Sequence, residues 1–173
     1  MKKIRIANGA GYAGDRLDAG EVLIERGNID YLTFECLAER TIGLCQRDKM
    51  HDPNLGYSRL SEERLRRTLK LAKEHGVKII SNLGAANPEA AIRLIQKICR
   101  EQEIVGLKLA AVTGDNIFDK VEKYYDYNVL EFNGKLGDIR EKLISGNAYC
   151  GVEGIVEALK KGSDVVLTGR VAD

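Results

Sequence analysis

Short apolar runs alternate with longer amphipathic segments along this chain, and that alternation limits the possible folds more than any other feature of the sequence. The apolar runs cover residues 4–8, 31–34, 77–81, 107–113 and 164–168. Helical spacing of apolar residues fills most of the segments between them, over 17–26, 38–50, 61–75, 87–99, 115–125 and 153–161. Strands separated by helices are typical of βαβ units with parallel strands. The sequence therefore predicts an α/β fold with helices on both faces of a parallel sheet.

The length favours one domain over residues 1–173 with an open, three-layer, Rossmann-like sheet. The start of a (β/α)₈ barrel is the alternative, since a complete barrel needs about 250 residues. The sequence ends a few residues after the last predicted strand, where an α/β protein would continue into a covering helix. We therefore expect this domain to be the N-terminal part of a longer protein.

Composition excludes several classes of function. With 27 basic and 26 acidic residues the net charge is +1, so no whole-chain attraction to nucleic acid or to anionic membranes is expected. No apolar run is long enough for a signal peptide or for a membrane span. The four cysteines form no CxxC pair. These features together predict a cytoplasmic protein with reduced thiols.

Glycine-rich turns with polar neighbours follow most of the predicted strands. In parallel sheets, ligands bind at the carboxyl ends of the strands, so these turns form one candidate ligand rim. Plain turn chemistry is the alternative interpretation. The rim residues predicted to bind a substrate or an anion are Gly9, Gly11, Gly14, Arg16, Asn82, Gly84, Gly114, Asn147, Gly169 and Arg170.

The first of these turns matches GxGxxG, and Glu35 lies about 20 residues further on, as in a dinucleotide-binding fingerprint. The pattern leaves open an oxidoreductase that uses NAD(P) or a flavin. However, Asp15 follows the last glycine directly, and an acid there would compete with a phosphate for free backbone amides. Arg16 could offset that competition.

Three carboxylates at strand ends are the predicted catalytic groups: Asp15, Glu35 and Asp115. They suit acid-base chemistry, or oxygen ligation of Mg²⁺ as a less favoured role. Helix capping is the alternative for both aspartates. Arg16 and Arg170 could clamp a carboxylate or phosphate, or form ion pairs with neighbouring acids.

Other reactive side chains carry weaker predictions. His51 and His75 show no zinc-ligand spacing, so no metal site is predicted. Tyr149 and Cys150 could take part in catalysis, but a packed tyrosine and a buried thiol are the favoured interpretation.

The strand-end motifs resemble the acyclic terpene utilisation AtuA family. The matching segments span essentially the whole chain and read NGAGYAGDRLDA, DYLTFECLAERTI, DPNLGY, VKIISNLGAANPEA, VTGDN and NAYCGVEGIVEALKKGSDVVLTGRVAD. Besides the candidate site residues above, these recurrent segments contain Asp18, Asn87, Pro88, Gly151 and Asp173.

The resemblance implies a cytoplasmic protein that degrades branched terpenoid acids as CoA thioesters, and a chain that continues beyond the last segment. We therefore expect an enzyme or enzyme subunit with lyase or hydratase chemistry, and CoA as part of the substrate. The alternatives are the nucleotide-dependent oxidoreductase and a non-catalytic assembly subunit. A homo-oligomer, or a partner chain that completes the fold, is expected because an uncovered terminal strand seeks a partner.

Overall fold

The computed structural model describes residues 3–172, which form one five-stranded sheet with five α-helices. The strands are β1 (Ile6–Asn8), β2 (Tyr31–Phe34), β3 (Lys78–Ser81), β4 (Leu109–Val112) and β5 (Val165–Thr168). The helices are α1 (Ala19–Arg26), α2 (Glu39–His51), α3 (Ser61–His75), α4 (Pro88–Glu101) and α5 (Glu153–Lys160). Short 3-10 helices cover Asn82–Gly84, Phe118–Tyr124 and Leu136–Lys142.

All neighbouring strands pair in parallel, in the order β1-β2-β3-β5-β4. Ile79 of β3 is in register with Val165 of β5, and Leu109 of β4 pairs with the same Val165 from the other side. A barrel would require β3 to pair with β4, so the barrel alternative is wrong. The predicted Rossmann-like α/β arrangement is confirmed.

One face of the sheet carries the main hydrophobic core. Leu32, Ile79 and Leu167 point from three adjacent strands into a cluster with side chains of α1, α3 and α4, and all three are fully buried. On α4, Asn87 caps the helix by accepting a hydrogen bond from the amide of Ala90, as its sequence position before Pro88 predicts. Burial of this face supplies most of the driving force for folding.

The opposite face is covered by α5 above β4 and β5. The contact is close, because a Cβ on Gly154 would lie 2.5 Å from Val112 Cγ1. The same face of β1 is open, and Ile6 is 68% exposed there. The third layer of the fold, within residues 3–172, is therefore complete only over one side of the sheet.

The predicted elements agree with the structure to within a few residues. β2 and α3 have the predicted bounds, whereas β4 is shorter at both ends than 107–113. The segment predicted as a helix over 115–125 is a 3-10 helix at Phe118–Tyr124, in which only Val121 is buried. Because few buried apolar side chains stabilise this segment, it takes the short 3-10 form and not a regular α-helix. No helix of the described part of the chain is long and apolar enough to cross a membrane.

Candidate functional site

The loop from Gly9 to Asp18 connects β1 to α1, and its first glycine is required by packing. A Cβ on Gly9 would lie 2.7 Å from Phe34 Cε1 and 3.4 Å from the Cα of Gly20. A Cβ on Gly11, in contrast, would meet no atom closer than an oxygen of Asp15 at 3.9 Å, so packing does not require a glycine there. Close helix–strand packing thus explains Gly9 without any ligand.

Asp15 closes this glycine loop on itself. Its carboxylate accepts hydrogen bonds from the backbone amides of Gly11 at 2.9 Å and of Arg16 at 2.8 Å. These two bonds hold the pKa of Asp15 below its usual value, and the bond from Gly11 lowers it the more. The carboxylate occupies amides that a phosphate would need in a dinucleotide site.

The loop also departs from a dinucleotide fingerprint in the position of its helix. Helix α1 begins at Ala19, five residues after Gly14, so the glycines do not open the helix. Arg16 donates two hydrogen bonds to Asp18, at 2.8 and 2.5 Å, and both side chains are exposed. The bond from Arg16 lowers the pKa of Asp18 to about 2. The charge of Arg16 is therefore paired locally, which was the alternative interpretation of this residue.

Arg64 of α3 anchors the glycine loop by hydrogen bonds to its backbone, a role that the sequence does not predict. The side chain is fully buried, and its guanidinium donates hydrogen bonds of 3.0 Å to the carbonyl oxygens of Arg16 and Asp15. The guanidinium carbon lies 5.3 Å from the centroid of the Phe34 ring, a cation–π contact. The helical spacing of α3 places position 64 beside Leu65 in the buried stripe, but an arginine there resembles an exposed residue.

Glu35 and Asn82 form a second group, at the ends of β2 and β3. The Asn82 side chain donates to Glu35 Oε1 at 2.9 Å, and the amide of Leu37 donates to the same oxygen at 3.1 Å. Asn82 Oδ1 in turn accepts from the amide of Cys36 at 2.8 Å. The carboxylate of Glu35 is thus held in one orientation at the carboxyl edge of the sheet, and its residue is exposed to solvent.

We call the depression beside this pair the strand-end cleft. It has a volume of about 340 Å³ and opens at the carboxyl ends of β1, β2, β3 and β5. Polar groups of Asn8, Glu35 and Asn82 meet the apolar side chains of Ile80 and Ile155 in its lining. This is the edge at which ligands bind in open parallel sheets.

Gly84 lies two residues after Asn82 and is explained by packing. A Cβ at this position would lie 2.6 Å from the carbonyl oxygen of Thr168 and 2.9 Å from Pro88 Cβ. The next residue, Ala85, is fully buried and has a φ of 47° and a ψ of −119°. Glycine is the residue that normally occupies such a position, so the backbone is strained at Ala85.

Asp115 is the centre of a third group, at the end of β4. It is buried, and its Oδ2 accepts hydrogen bonds from the Asn147 side chain at 2.9 Å and from the amide of Arg170 at 3.0 Å. A Cβ on Gly169 would collide with this carboxylate. Gly114 has a φ of 117°, which lets the chain turn sharply from β4 into Asp115.

The side chain of Arg170 extends from this group to the start of α2. Its guanidinium donates to Glu39 Oε1 at 2.8 Å, to the hydroxyl of Tyr149 and to the carbonyl oxygen of Leu37. The guanidinium carbon also lies 4.2 Å from the centroid of the Tyr149 ring. Arg170 is therefore largely committed to protein groups, the ion-pair alternative given above.

Two partners of Arg170 differ from the expectations. Tyr149 is 55% exposed and donates its hydroxyl to Glu39 Oε1 at 2.8 Å, so the packed-tyrosine interpretation is wrong. Glu39 was not predicted, because it looks like an ordinary first-turn acid of α2. Its pKa is lowered, first by its own backbone amide, then by the hydroxyl of Tyr149 and the charge of Arg170.

The predicted site residues thus fall into three groups rather than one rim. Of the three predicted catalytic carboxylates, Glu35 alone lines the strand-end cleft. Asp15 binds loop amides and Asp115 binds Asn147 and Arg170. The catalytic roles remain predictions. Asp173 lies outside the described residues.

The described residues offer little for metal binding or for catalysis by a thiol. Within residues 3–172 no three side chains of His, Cys, Asp or Glu cluster in a way that could hold a metal ion. All four cysteines are free, and burial raises the pKa of Cys36 and of Cys45 to about 11. Those two thiols are neutral near pH 7 and are poor nucleophiles.

Comparison with known proteins agrees with the resemblance seen in the sequence. The family model described as acyclic terpene utilisation family protein AtuA matches residues 4–173. No curated protein and no solved structure matches this chain. Because the match extends over essentially the whole chain and includes all three groups of strand-end residues, the chain belongs to the acyclic terpene utilisation AtuA family.

Proposed function

We propose that this chain binds a branched organic acid or its CoA thioester in the strand-end cleft, and that Glu35 transfers a proton there. The observation that carries the proposal is the fixed carboxylate of Glu35 above an apolar lining. Membership of the acyclic terpene utilisation family supports the choice of a branched hydrocarbon substrate.

The position of Glu35 suits general acid-base chemistry. Two donors, from Leu37 and Asn82, hold its Oε1, which leaves Oε2 to face a substrate. Proton transfer by a positioned carboxylate contributes typically 10²–10⁴-fold to a rate. Ile80 and Ile155 offer the apolar contact that a terpenoid chain needs.

The reaction class we favour is a lyase or hydratase reaction. In a hydration, Glu35 would take a proton from water as its oxygen bonds to one carbon of a polarised double bond. A proton would then be returned to the neighbouring carbon, so the water is added whole and no oxidant is needed. CoA enters such a reaction as part of the substrate, and no redox cofactor is consumed.

A nucleotide-dependent oxidoreductase has weaker support. Asp15 holds the amides of Gly11 and Arg16, and α1 begins too far from the glycines for a pyrophosphate site. A dinucleotide could bind only after the Asp15 carboxylate moved away. NAD(P), flavin and Mg²⁺ therefore rank below a cofactor-free mechanism.

An assembly role is the third candidate, and it is favoured by the open sheet face. Ile6 is 68% exposed on that face, and β1 and β4 are edge strands of the sheet. Exposed apolar surface and edge strands both promote association. We propose that the protein works in the cytoplasm as a homo-oligomer or with a partner chain, in keeping with its four free cysteines.

A ligand panel tests the choice between these functions. The protein is melted with CoA, a branched acyl-CoA, NADH, NADPH or Mg²⁺, each at about 100 times its expected Kd. Binding at that level adds about 2.7 kcal/mol, a rise in Tm of roughly 5–11 °C for this size of domain. We expect a rise with the branched acyl-CoA. A rise with NADH or NADPH alone would reverse the order of the proposals.

An activity assay then tests the role of Glu35. Hydration of a branched unsaturated acyl-CoA is followed for wild type, Glu35→Gln and Asp15→Asn. Glu35→Gln should lose about 10²–10⁴-fold in kcat while it still binds the thioester. Asp15→Asn tests the second predicted catalytic carboxylate, which does not line the cleft, and should leave turnover unchanged. Full turnover by Glu35→Gln would remove Glu35 from the mechanism.

A further inference from the structure

Arg170 joins two walls of the strand-end cleft. The residues directly after it, Val171 and Ala172, line the cleft beyond the end of β5. Its guanidinium donates to the carbonyl oxygen of Leu37, which lies in the segment that continues from Glu35 beyond the end of β2. Although β3 lies between β2 and β5 in the sheet, one side chain thus connects the two segments that follow them.

The backbone at Arg170 is itself held in place by its neighbours. Its amide donates to Asp115 Oδ2 at 3.0 Å, and its carbonyl oxygen accepts from the amide of Cys150 at 3.2 Å. The amide of Ala172 donates in turn to the carbonyl oxygen of Cys150 at 2.9 Å. Because the backbone on both sides of the side chain is bonded, the guanidinium can fix the position of the group that it binds.

Among the partners of this guanidinium, Leu37 matters most for the cleft. The Glu39 side chain is 79% exposed, whereas that of Arg170 is 11% exposed. An ion pair with an exposed carboxylate contributes little, because water competes for both charges. Leu37 is 2% exposed, so water does not readily replace a donor that its carbonyl oxygen loses.

The same Leu37 holds the proposed catalytic carboxylate. Its amide donates to Glu35 Oε1 at 3.1 Å, beside the bond of 2.9 Å from Asn82. Leu37 therefore accepts from Arg170 through its carbonyl oxygen and donates to Glu35 through its amide. A shift of the backbone at this residue turns the amide, and the strength of a hydrogen bond depends steeply on that direction.

We infer that Arg170 is a positioning residue, which orients Glu35 through the backbone of Leu37 and fixes the separation of two walls of the cleft. The effect on turnover rests on the proposed function, but the series of contacts from Arg170 to Glu35 needs no substrate. This role differs from the binding of an anion, which the position of Arg170 in the sequence predicts.

The first test follows the Leu37 amide and needs no ligand. The chemical shift of an amide that binds a carboxylate changes when the carboxylate is protonated, so the Leu37 resonance of ¹⁵N-labelled protein is followed from about pH 7 to 4. Glu35→Gln should abolish the change. In Arg170→Met we expect less than about half of the wild-type change, because the bond loses its geometry. Arg170→Lys, which lacks the fork of donors, should be intermediate.

Two controls separate positioning from a general loss of structure. The amide of Gly11 binds the carboxylate of Asp15 in the same way, and its change with pH should equal that of wild type in both Arg170 variants. Arg67→Met removes an arginine of α3 that binds a carboxylate of α1, and it should leave the Leu37 resonance unchanged. A wild-type change at Leu37 in both Arg170 variants would overturn the inference. An equal loss at Leu37 and Gly11 in Arg170→Lys would overturn it as well.

The second test measures turnover of a branched unsaturated acyl-CoA. Arg170→Met should lose about 10–10²-fold in kcat with KM unchanged, because misplacement of a catalytic group has an effect of this order. A rise in KM alone would mean that Arg170 acts on binding, and the inference would fail. If wild type shows no turnover, or Glu35→Gln keeps full turnover, the proposed function fails. The Leu37 resonance still decides in that case whether Arg170 positions Glu35.

Discussion

The carboxylate of Asp15 accepts a hydrogen bond of 2.9 Å from the backbone amide of Gly11, four residues earlier in the chain. An acid that follows a glycine-rich turn therefore acts as the internal anion of that turn. The bond explains why a GxGxxG pattern occurs here without the helix start that a dinucleotide needs. It also makes the loop sensitive to acid.

Protonation of Asp15 at low pH should lower the free energy of unfolding of the protein. The pKa of Asp15 is lowered in the folded state, chiefly by the amide of Gly11, so its contribution is present above the unfolded value near 3.8. That contribution is lost as pH falls through the lower folded pKa. We expect the free energy of unfolding to fall less steeply below about pH 4 in Asp15→Asn than in wild type. Denaturant titrations at several pH values measure it, with the exposed Asp119→Asn as control. Equal slopes in all three proteins would contradict the assignment.

The contact between Gly169 and Asp115 predicts the effect of a single methyl group. Gly169→Ala places a Cβ against the buried Asp115 carboxylate and should lower the free energy of unfolding by roughly 1–3 kcal/mol. Gly43→Ala is the matched control, because nothing lies within 4 Å of the added Cβ in the middle of α2. That variant should gain roughly 0.5–1 kcal/mol. Chemical denaturation decides, and a loss in both variants would show that the collision is not the cause.

Removal of Arg64 should release the glycine loop. Arg64→Met leaves the carbonyl oxygens of Asp15 and Arg16 without their donor, at roughly 0.5–1.5 kcal/mol for each partly buried hydrogen bond that is lost. Hydrogen exchange at the amide of Gly11 should accelerate before the core amides do. Arg64→Lys keeps the charge but lacks the fork of donors, so its exchange should be intermediate. Unchanged exchange in Arg64→Met would rule out the anchoring role.

Backbone strain at Ala85 can be measured against its neighbour. Both Ala85→Gly and Ala86→Gly lose one buried methyl group, but only Ala85 has a positive φ, of 47°. Relief of strain of order 1–3 kcal/mol should make Ala85→Gly the more stable variant of the two. The difference between their free energies of unfolding isolates the strain. If Ala86→Gly is the more stable variant, the conformation at Ala85 is not strained.

The elements of the fold could be predicted from the sequence because they depend on residues close together in the chain. The β-branched and aromatic run at Tyr31–Phe34 and the apolar spacing of Ser61–His75 mark β2 and α3. The Asn87–Pro88 pair marks the start of α4 in the same local way. Parallel pairing followed from the alternation itself, and the Gly-rich turns pointed to the carboxyl edge.

Strand order and the partners of the site residues could be known only from the tertiary structure. The position of β5 between β3 and β4 depends on contacts between residues far apart in sequence, as do the bonds of Arg64 to the glycine loop and of Arg170 to Glu39. The sequence does not distinguish a charged side chain that is buried against carbonyl groups from one that is solvated. Local patterns therefore determined which elements form, whereas long-range packing determined which polar groups meet, because hydrogen bonds join groups by distance in space and not by separation in the chain.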